Sequence, residues 1–210
     1  MRVAALFVGM PRTVAAHGSS LYTGGAKAPV AAARLKLEGF EGDGQGDLRH
    51  HGGRDRTACV YPAEHYAWWK SQGLDLPFGA FCENLTVEGA REEQLCIGDI
   101  FRVGAAIVQI ALQRDPCRTL DRLCGIPGLH VRAQESGRCG FHMRTLEEGE
   151  IRAGDAFELV RRHEQGITVA AVLDLYHGRC RDRQLAHRLD VMAEFAAQGK
   201  LDIARKLAGS

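Results

Sequence analysis

The chain has 210 residues, of which 45% are hydrophobic and 25% are charged, and its formal net charge is +1. This composition is typical of a globular protein with a core of its own and excludes global disorder. The balanced charge excludes a bulk electrostatic field for nucleic acid or for an acidic membrane surface. The longest apolar runs have the length of strands, far short of the roughly 20 residues that span a bilayer.

The seven cysteines are odd in number and have no paired spacing, which argues against the disulfide framework of a secreted protein. No Cys-x-x-Cys or other zinc-type spacing occurs, and the N-terminus lacks the features of a signal peptide. We therefore predict a cytoplasmic protein. Four cysteines are predicted to be small core residues: Cys59, Cys96, Cys139 and Cys180.

The first 160 or so residues indicate short strands joined by glycine-rich turns. The predicted strands cover residues 3–8, 30–37, 57–61, 83–87, 99–103, 105–111, 140–146 and 156–161. The stretch Gly-Asp-Ile-Phe-Arg-Val at 98–103 is echoed by Gly-Asp-Ala-Phe-Glu-Leu at 154–159. Two such similar strand entries favour a sheet that closes on itself, so the predicted fold is mainly β and barrel-like.

Three short helices are predicted between these strands, as caps of the barrel. Pro62 opens the first, which carries Tyr66, Trp68 and Trp69 on its apolar side. The second has Asp115 as N-cap and Pro116 as its first residue, and ends near Gly125. The third covers about residues 127–135.

From Thr168 onward the apolar residues repeat at helical spacing, in three runs of about ten residues each. Helices of this length are unstable alone, so they must pack on one another or on the barrel. We predict a domain at residues 1–163 and a small three-helix appendage at residues 164–210.

Cys117 has the most reactive local setting of the cysteines. A position at the start of a helix places its sulfur beside free backbone N–H groups and the positive end of the helix dipole. Arg114 and Arg118 flank it, and both effects favour the thiolate, the form that attacks or binds metal. Asp115 opposes them, and a buried structural cysteine is the alternative interpretation.

A basic, glycine-containing segment runs from Arg49 to Arg56, with the sequence Arg-His-His-Gly-Gly-Arg-Asp-Arg. Its two glycines, Gly52 and Gly53, permit close approach to a ligand, and its arginines can donate to phosphate or carboxylate. A solvated basic turn is the alternative. If the segment is a strand, adjacent histidines face opposite sides, so at most one of His50 and His51 faces a site.

Two further segments carry polar groups at strand positions. Glu83 and Asn84 lead into a predicted strand and offer a carboxylate and an amide to a ligand, or else form an ordinary turn. Arg144 alternates with Phe141 and Met143 on a half-buried strand. It either points into a cleft or lies on the solvated face.

Taken in order, six segments resemble a MOSC domain, the family related to the C-terminal part of molybdenum cofactor sulfurases. The subgroup resembled is the YiiM-like one, in which a three-helix domain follows. The segments are Leu-Glu-Gly-Phe-Glu-Gly-Asp-Gly-Gln at 37–45, His-His-Gly-Gly at 50–53, Tyr-Pro-Ala-Glu-His-Tyr at 61–66, Glu-Asn-Leu-Thr at 83–86, Arg-Asp-Pro-Cys at 114–117 and Gly-Glu-Ile-Arg-Ala-Gly-Asp at 149–155.

The resemblance implies that Cys117 ligates molybdenum or accepts sulfur, and that the chain holds the pterin of the molybdenum cofactor. The residues implied for the pterin and its phosphate are His51, Gly52, Gly53, Arg56, Asn84, Arg114 and Arg144. Similar proteins reduce N-hydroxylated compounds, such as N-hydroxylated purines, with electrons from a separate flavoprotein or iron–sulfur partner. Molybdenum on a soft thiolate suits removal of oxygen from an N–O bond.

Two other functions remain open at this point: a sulfur carrier or transferase that uses a Cys117 persulfide, and a protein that binds the cofactor without catalysis. The sequence also departs from the family pattern. Cys82 stands where the family segment has glycine, and Arg118-Thr119 stands where a bulky residue and lysine are common.

The arginines of the C-terminal segment allow a separate hypothesis. Arg179, Arg181, Arg183 and Arg188 either dock an acidic electron-transfer partner or form a solvated helical face. The pattern does not predict an oligomeric state.

Overall fold

The computed structural model describes residues 1–208, which form thirteen strands and seven helices. The strands are β1 Arg2–Val8, β2 Arg12–Ala16, β3 Ser19–Thr23, β4 Ala28–Pro29, β5 Ala32–Lys36, β6 Gly39–Phe40, β7 Ala58–Pro62, β8 Leu85–Glu88, β9 Ile100–Val103, β10 Ala106–Gln113, β11 Phe141–Glu147, β12 Gly149–Arg152 and β13 Phe157–Arg161. The helices are α1 Leu48–His51, α2 Glu64–Ser71, α3 Arg118–Cys124, α4 Leu129–Ser136, α5 Val169–Tyr176, α6 Arg183–Val191 and α7 Ala197–Ala208, with a 3-10 turn at Arg54–Arg56.

Eight strands form one curled sheet in the order β13-β9-β10-β11-β7-β8-β1-β4. Its strand pairs are antiparallel except for β7 and β8, which are parallel and joined through α2. Backbone hydrogen bonds also join the start of β1 to the start of β13 across the curl, since Val3 N donates to Asp155 O at 2.9 Å and Phe157 N donates to Met1 O at 3.0 Å. The predicted mainly β, barrel-like α+β fold is confirmed.

The two echoed segments are neighbours in this sheet. Strands β9 and β13 pair with Phe101 opposite Leu159 and Val103 opposite Phe157, and the rings of Phe101 and Phe157 lie 4.6 Å apart. The internal similarity therefore produces a cross-strand aromatic pair of the kind that stabilises sheets by about 0.5–1.5 kcal/mol beyond its buried area.

Several predicted boundaries are wrong. The predicted strand 30–37 is shorter, as β5, and the hairpin of β2 and β3 was not predicted. Pro62 ends β7 instead of opening a helix, because its backbone pairs in register with Val87 of β8. Helix α2 begins two residues later, and it still buries Tyr66 and Trp69.

The three C-terminal helices pack into the same hydrophobic core as the sheet. Buried side chains of α5 to α7, among them Val172, Leu173 and Ile203, belong to one cluster with Val108 and Ile110 of β10. Short helices obtain their stability from such contacts. Among residues 1–208, no helix is long and apolar enough to cross a membrane.

Candidate functional site

A cavity of about 260 Å³ lies where several loops meet at one end of the sheet. Three loops line it: the loop after β3, the loop before α1 and the loop from Arg114 to Thr119. The strand residues Cys59 and His142, which are paired across β7 and β11, also line the cavity, as do His51, Arg56, Cys82 and Asn84. Cys117 opens onto this cavity with an exposed side chain.

Two of these loops touch so closely that only glycine fits. A Cβ atom added to Gly24 would lie 1.9 Å from the carbonyl oxygen of Gly44. This distance is far inside van der Waals contact, so a side chain at Gly24 would separate the loops. The glycines of the sequence motif around Asp43 therefore shape one wall of the cavity.

Cys117 is the N-cap residue of α3, with φ −117° and ψ 174°, and not its second residue as predicted. The predicted N-cap, Asp115, is engaged elsewhere. Its carboxylate accepts hydrogen bonds from Gln134 Nε2 at 2.7 Å and from the Tyr176 hydroxyl at 3.1 Å. Cys117 is extended, and α3 therefore begins only at Arg118.

The pKa of Cys117 is lowered to about 6. A hydrogen bond with the His51 side chain makes the largest contribution, and the hydroxyl and amide of Thr119 add further hydrogen bonds, while partial burial opposes them. Hydrogen bonds to the sulfur stabilise its anionic form. At neutral pH the sulfur is therefore mainly a thiolate, the nucleophilic and metal-binding form.

Arg114 lines the cavity as predicted for a site residue, and it also has a structural role. Its guanidinium is buried and donates to the carbonyl oxygens of Cys139, at 3.2 Å, and Phe81, at 2.5 Å. These bonds tie the end of β10 to two neighbouring loops. Arg114 still lines the cavity, but His51 and Thr119 make the main contributions that lower the pKa of Cys117.

The basic segment is helical, which corrects the interpretation of its histidines as strand residues. Asp47 caps α1, accepts from the backbone N–H groups of Arg49 and His50, and contacts His50 Nδ1 at 2.7 Å. Successive residues of a helix point in different directions. His51 therefore lines the cavity while His50 turns toward Asp47.

Gly52 and Gly53 do not line the cavity, although they shape the turn that follows α1. Gly53 has φ +105°, a conformation that side chains disfavour. Arg56 lies at the end of this turn and lines the cavity, and its Nη1 donates to Gly52 O at 3.5 Å. The glycines thus position Arg56.

Asn84 lines the cavity, but its amide is used within the protein. Its Nδ2 donates to Phe7 O at 3.2 Å and to Asp43 Oδ2 at 2.9 Å, and its Oδ1 accepts from Cys59 N at 3.1 Å. Asp43 also forms a buried ion pair with Lys27 in the cavity wall. Lys27 was not predicted because no motif surrounds it.

Arg144 lies outside this cavity, in contrast to its predicted place among the cofactor-binding residues. It pairs with Asp55 at 2.8 Å and donates to Gln109 Oε1 at 3.3 Å, and it lines a second cavity. The side chain of the same strand that reaches the first cavity is His142, two positions earlier. His142 was not predicted, because alternation alone does not show how far along a strand a cavity extends.

His142 is neutral in this setting. Burial is the main cause that holds its pKa well below the ordinary value, and the positive charges of Arg56 and Arg114 act in the same direction. Within residues 1–208 its buried Nδ1 has no hydrogen-bond partner. The cavity wall therefore contains a neutral imidazole whose Nδ1 is available for a hydrogen bond.

Two more thiols, Cys59 and Cys82, line the cavity, and both are neutral. Burial raises the pKa of Cys82 to about 12 and also raises that of Cys59. Cys82 has φ +61°, a left-handed conformation that favours glycine, and this explains why the related family segment has glycine there. Of the predicted core cysteines, Cys96 and Cys139 are buried, and Cys180 is only half-buried.

The chain that forms this curled sheet and thiolate cavity matches the MOSC domain family over residues 47–158. The chain is 45% identical to the uncharacterized protein YflK of Bacillus subtilis over 80% of this chain and 76% of that one. It is 33% identical to the protein YiiM of Escherichia coli over 80% of this chain and 83% of that one. The chain therefore belongs to the MOSC domain family.

Within that family, the chain is similar to the YiiM proteins. The crystal structure of YiiM from Geobacillus stearothermophilus matches with a TM-score of 0.83, at 27% identity and 98% coverage of both chains. That of YiiM from E. coli matches with a TM-score of 0.77, at 26% identity, over 100% of this chain and 94% of that one. A protein of Gibberella moniliformis named "Reductase" is 33% identical over 53% of this chain and 21% of its own length.

Proposed function

We propose that this chain is a molybdenum-cofactor-dependent reductase of N-hydroxylated compounds, with Cys117 as the protein ligand of the metal. The observation that carries the proposal is a thiolate of pKa about 6 that opens onto a cavity in a MOSC domain. The reductase name of one relative supports the reaction class.

The donor set fits this cofactor better than it fits a bare metal ion. Within the described residues, no group of three or more His, Cys, Asp or Glu side chains could hold a metal ion. A metal on Cys117 must then obtain most of its ligands from a bound small molecule. The pterin of the molybdenum cofactor carries sulfur donors of its own, and soft thiolate ligands suit such a centre.

The cavity also offers groups for an anionic pterin. Arg56 provides a positive charge. Burial is the main cause that lowers the pKa of its guanidinium, so this group is poorly hydrated and can bind an anion. Gly52 and Gly53 position Arg56, and Asn84 and Arg114 hold the cavity walls, so these residues would act on the cofactor through the shape of the site. Arg144 is not assigned to cofactor binding, because it lines the other cavity.

When bound, the cofactor would supply a metal that changes oxidation state and takes oxygen from an N–O bond. Conversion of N–OH to N–H consumes two electrons and two protons and releases water. The protein would keep the Cys117 sulfur anionic through His51 and Thr119. The unused Nδ1 of His142 could hydrogen-bond the N–O group of the substrate and orient it.

The deciding experiment is the metal and pterin content of the chain purified from a molybdate-fed host that makes the cofactor. We expect about one molybdenum per chain in the wild type and loss of molybdenum in Cys117→Ser, because the substitution removes the metal ligand. Cys180→Ser, at a half-buried thiol outside the cavity, is the matched control and should retain the metal.

The loaded protein should then reduce a hydroxylamine or an amidoxime when an electron donor is supplied. Molybdenum retained by Cys117→Ser would contradict the ligand assignment. A loaded protein that reduces no N-hydroxylated compound would contradict the reductase and leave cofactor binding without catalysis.

A sulfur carrier is the second candidate, and the exposure of the Cys117 thiolate favours it. An exposed thiolate can accept sulfur from a persulfide donor, while the other cavity thiols are neutral. Mass spectrometry after exposure to a cysteine desulfurase would detect a sulfur adduct on Cys117. Its absence, together with bound molybdenum, would exclude the carrier.

We further propose that electrons come from a separate flavoprotein or iron–sulfur partner that docks on the C-terminal helices. Arg179 donates to Gln134 O and Asp174, and Arg188 donates to Gln165 O, so both are engaged within the chain. Arg181 and Arg183 are exposed and have no hydrogen bond or ion pair from their side chains within residues 1–208. They are therefore the residues to test for docking.

Charge reversal of Arg181 and Arg183 should slow reduction by an acidic protein donor, most strongly at low salt. Reduction by a small chemical reductant should be unchanged. Arg102→Glu, at an exposed arginine of β9, is the control. Equal rates for the double variant and the control with the protein donor would exclude docking at these two arginines.

A further inference from the structure

The second cavity, of about 560 Å³, lies between the 3-10 turn, β11 and the segment that leads into α7. Its walls include Arg54, Asp55, Arg144, Phe195 and Lys200. The 3-10 turn and β11 border both cavities, because Arg56 of this turn and His142 of this strand line the first cavity together with Cys117. Nothing in the proposed reaction uses the second cavity.

This cavity carries an excess of positive charge. Arg144 and Asp55 neutralise each other at 2.8 Å, and a further guanidinium nitrogen of Arg144 is bonded to Gln109. Arg54 and Lys200, in contrast, have no carboxylate within 4.0 Å anywhere in residues 1–208. Two cations thus border the cavity without a counter-charge, and the Lys200 side chain is half-buried.

The remaining surroundings favour an anion that carries an apolar body. Ala197 and Lys200 belong to the first turn of the twelve-residue helix α7, whose positive dipole end therefore faces the cavity wall. Leu37, Ala193 and Phe195 supply apolar surface beside the cations. A cavity of this volume is large enough for a small organic molecule.

We propose that the second cavity binds a small organic anion, a phosphate monoester or a carboxylate with a compact apolar body. Arg54 and Lys200 hold the charged group by charge-assisted hydrogen bonds, and the apolar wall covers the body of the ligand. This site is independent of the chemistry at Cys117. Its ligand and that of the first cavity are therefore expected to bind without competing.

Titration calorimetry with phenyl phosphate, benzoate, inorganic phosphate and neutral phenol tests the site in the full chain. We expect phenyl phosphate or benzoate to bind once per chain, more tightly than inorganic phosphate, and phenol not to bind. Arg54→Gln and Lys200→Gln should each weaken binding roughly tenfold or more, because each removes one charge-assisted hydrogen bond. The exposed Arg102→Gln is the matched control and should bind as the wild type does.

Carbamidomethylation of Cys117 separates the two cavities, because it blocks the first and leaves the second open. We expect unchanged affinity for the aromatic anion after this modification. Loss of binding after modification, or wild-type affinity in the Arg54→Gln, Lys200→Gln double variant, would overturn the assignment. Absence of binding by both aromatic anions to the wild type would overturn it as well.

Discussion

His51 lies far from Cys117 in the chain, yet it makes the largest contribution to lowering the pKa of the Cys117 thiol. His51 is the last residue of α1 and Cys117 is the N-cap of α3, and the fold brings both to one cavity. A second partner, Thr119, stands at a position where lysine is common in the related family segment. Hydrogen bonds from an imidazole and a hydroxyl thus stabilise the thiolate in a chain that lacks the lysine.

The rate of Cys117 alkylation by iodoacetamide should follow the thiolate fraction, with half its maximum near pH 6. The sign follows from the lowered pKa: the thiolate persists above this pH, and the rate falls as pH falls through it. The measurement is the rate of Cys117 modification by mass spectrometry between pH 4.5 and 9. A midpoint near the ordinary thiol value would contradict the arrangement.

His51→Gln should raise the pKa of Cys117 and slow its alkylation at pH 7 by roughly two- to tenfold, because a pKa raised from about 6 to roughly 7–8 leaves between about half and a tenth of the sulfur as thiolate. His50→Gln is a close control, since His50 contacts Asp47 and does not line the cavity. The same pH series serves as the measurement. Equal effects of the two substitutions would show that the hydrogen bond from His51 is not responsible.

Cys82 carries backbone strain that a glycine would relieve. Cys82→Gly and Cys82→Ala both remove the sulfur, but only glycine adopts φ +61° without a steric cost. We therefore expect Cys82→Gly to be more stable than Cys82→Ala by about 1 kcal/mol. Urea unfolding measures the difference, and an alanine variant as stable as the glycine variant would contradict it.

At the scale of elements, α5 is linked to the loop that carries Cys117. Tyr176 donates to Asp115, and Gln134 of α4 donates to both Asp115 and the carbonyl of Pro116, at 2.7 and 2.9 Å. Arg179 in turn donates to Gln134 O at 2.6 Å. The C-terminal helices therefore hold the loop in place from outside the cavity.

Tyr176→Phe should loosen this loop with only a small loss of stability, about 1 kcal/mol for one partly exposed hydrogen bond. Amide hydrogen exchange of Arg114, Asp115, Cys117 and Arg118 should become faster, while exchange in β10 stays slow. Gln198→Ala is the control, because within residues 1–208 the Gln198 side chain donates only to Asp202 of the same helix. Unchanged exchange in residues 114–118 would show that Gln134 alone holds the loop.

At the scale of the whole molecule, the sheet and the three C-terminal helices share one core. Side chains such as Val172, Leu173, Phe195 and Ile203 are almost wholly buried in it. Exposure of each costs roughly 1.5–3 kcal/mol, so their combined loss is comparable with the whole stability of a domain, about 5–15 kcal/mol. The division into residues 1–163 and 164–210 stays a prediction about sequence organisation.

A chain cut after residue 163 should accordingly fail to fold cooperatively, because the cut exposes the core face that α5 to α7 cover. Circular dichroism and thermal unfolding of the shortened chain measure this. A chain that ends at residue 208 is the control and should unfold in one transition. A cooperative transition in the shortened chain would show that the first 163 residues form an independent unit.

The sequence by itself determined the class of fold, the position of most strands and the identity of Cys117 as the reactive candidate. These depend on local patterns, since alternation, glycine turns and short motifs act over a few neighbouring residues. The six ordered segments also sufficed to indicate the family, which the match at residues 47–158 confirms.

Only the tertiary structure decided which side chains meet. It placed His51 beside Cys117, brought His142 and Lys27 into the cavity and moved Arg144 to a different one. It also placed Asp115 against Tyr176 and Gln134, which ended its predicted role as N-cap. These contacts join residues far apart in the chain, and they depend on strand register and loop packing, which no local pattern specifies.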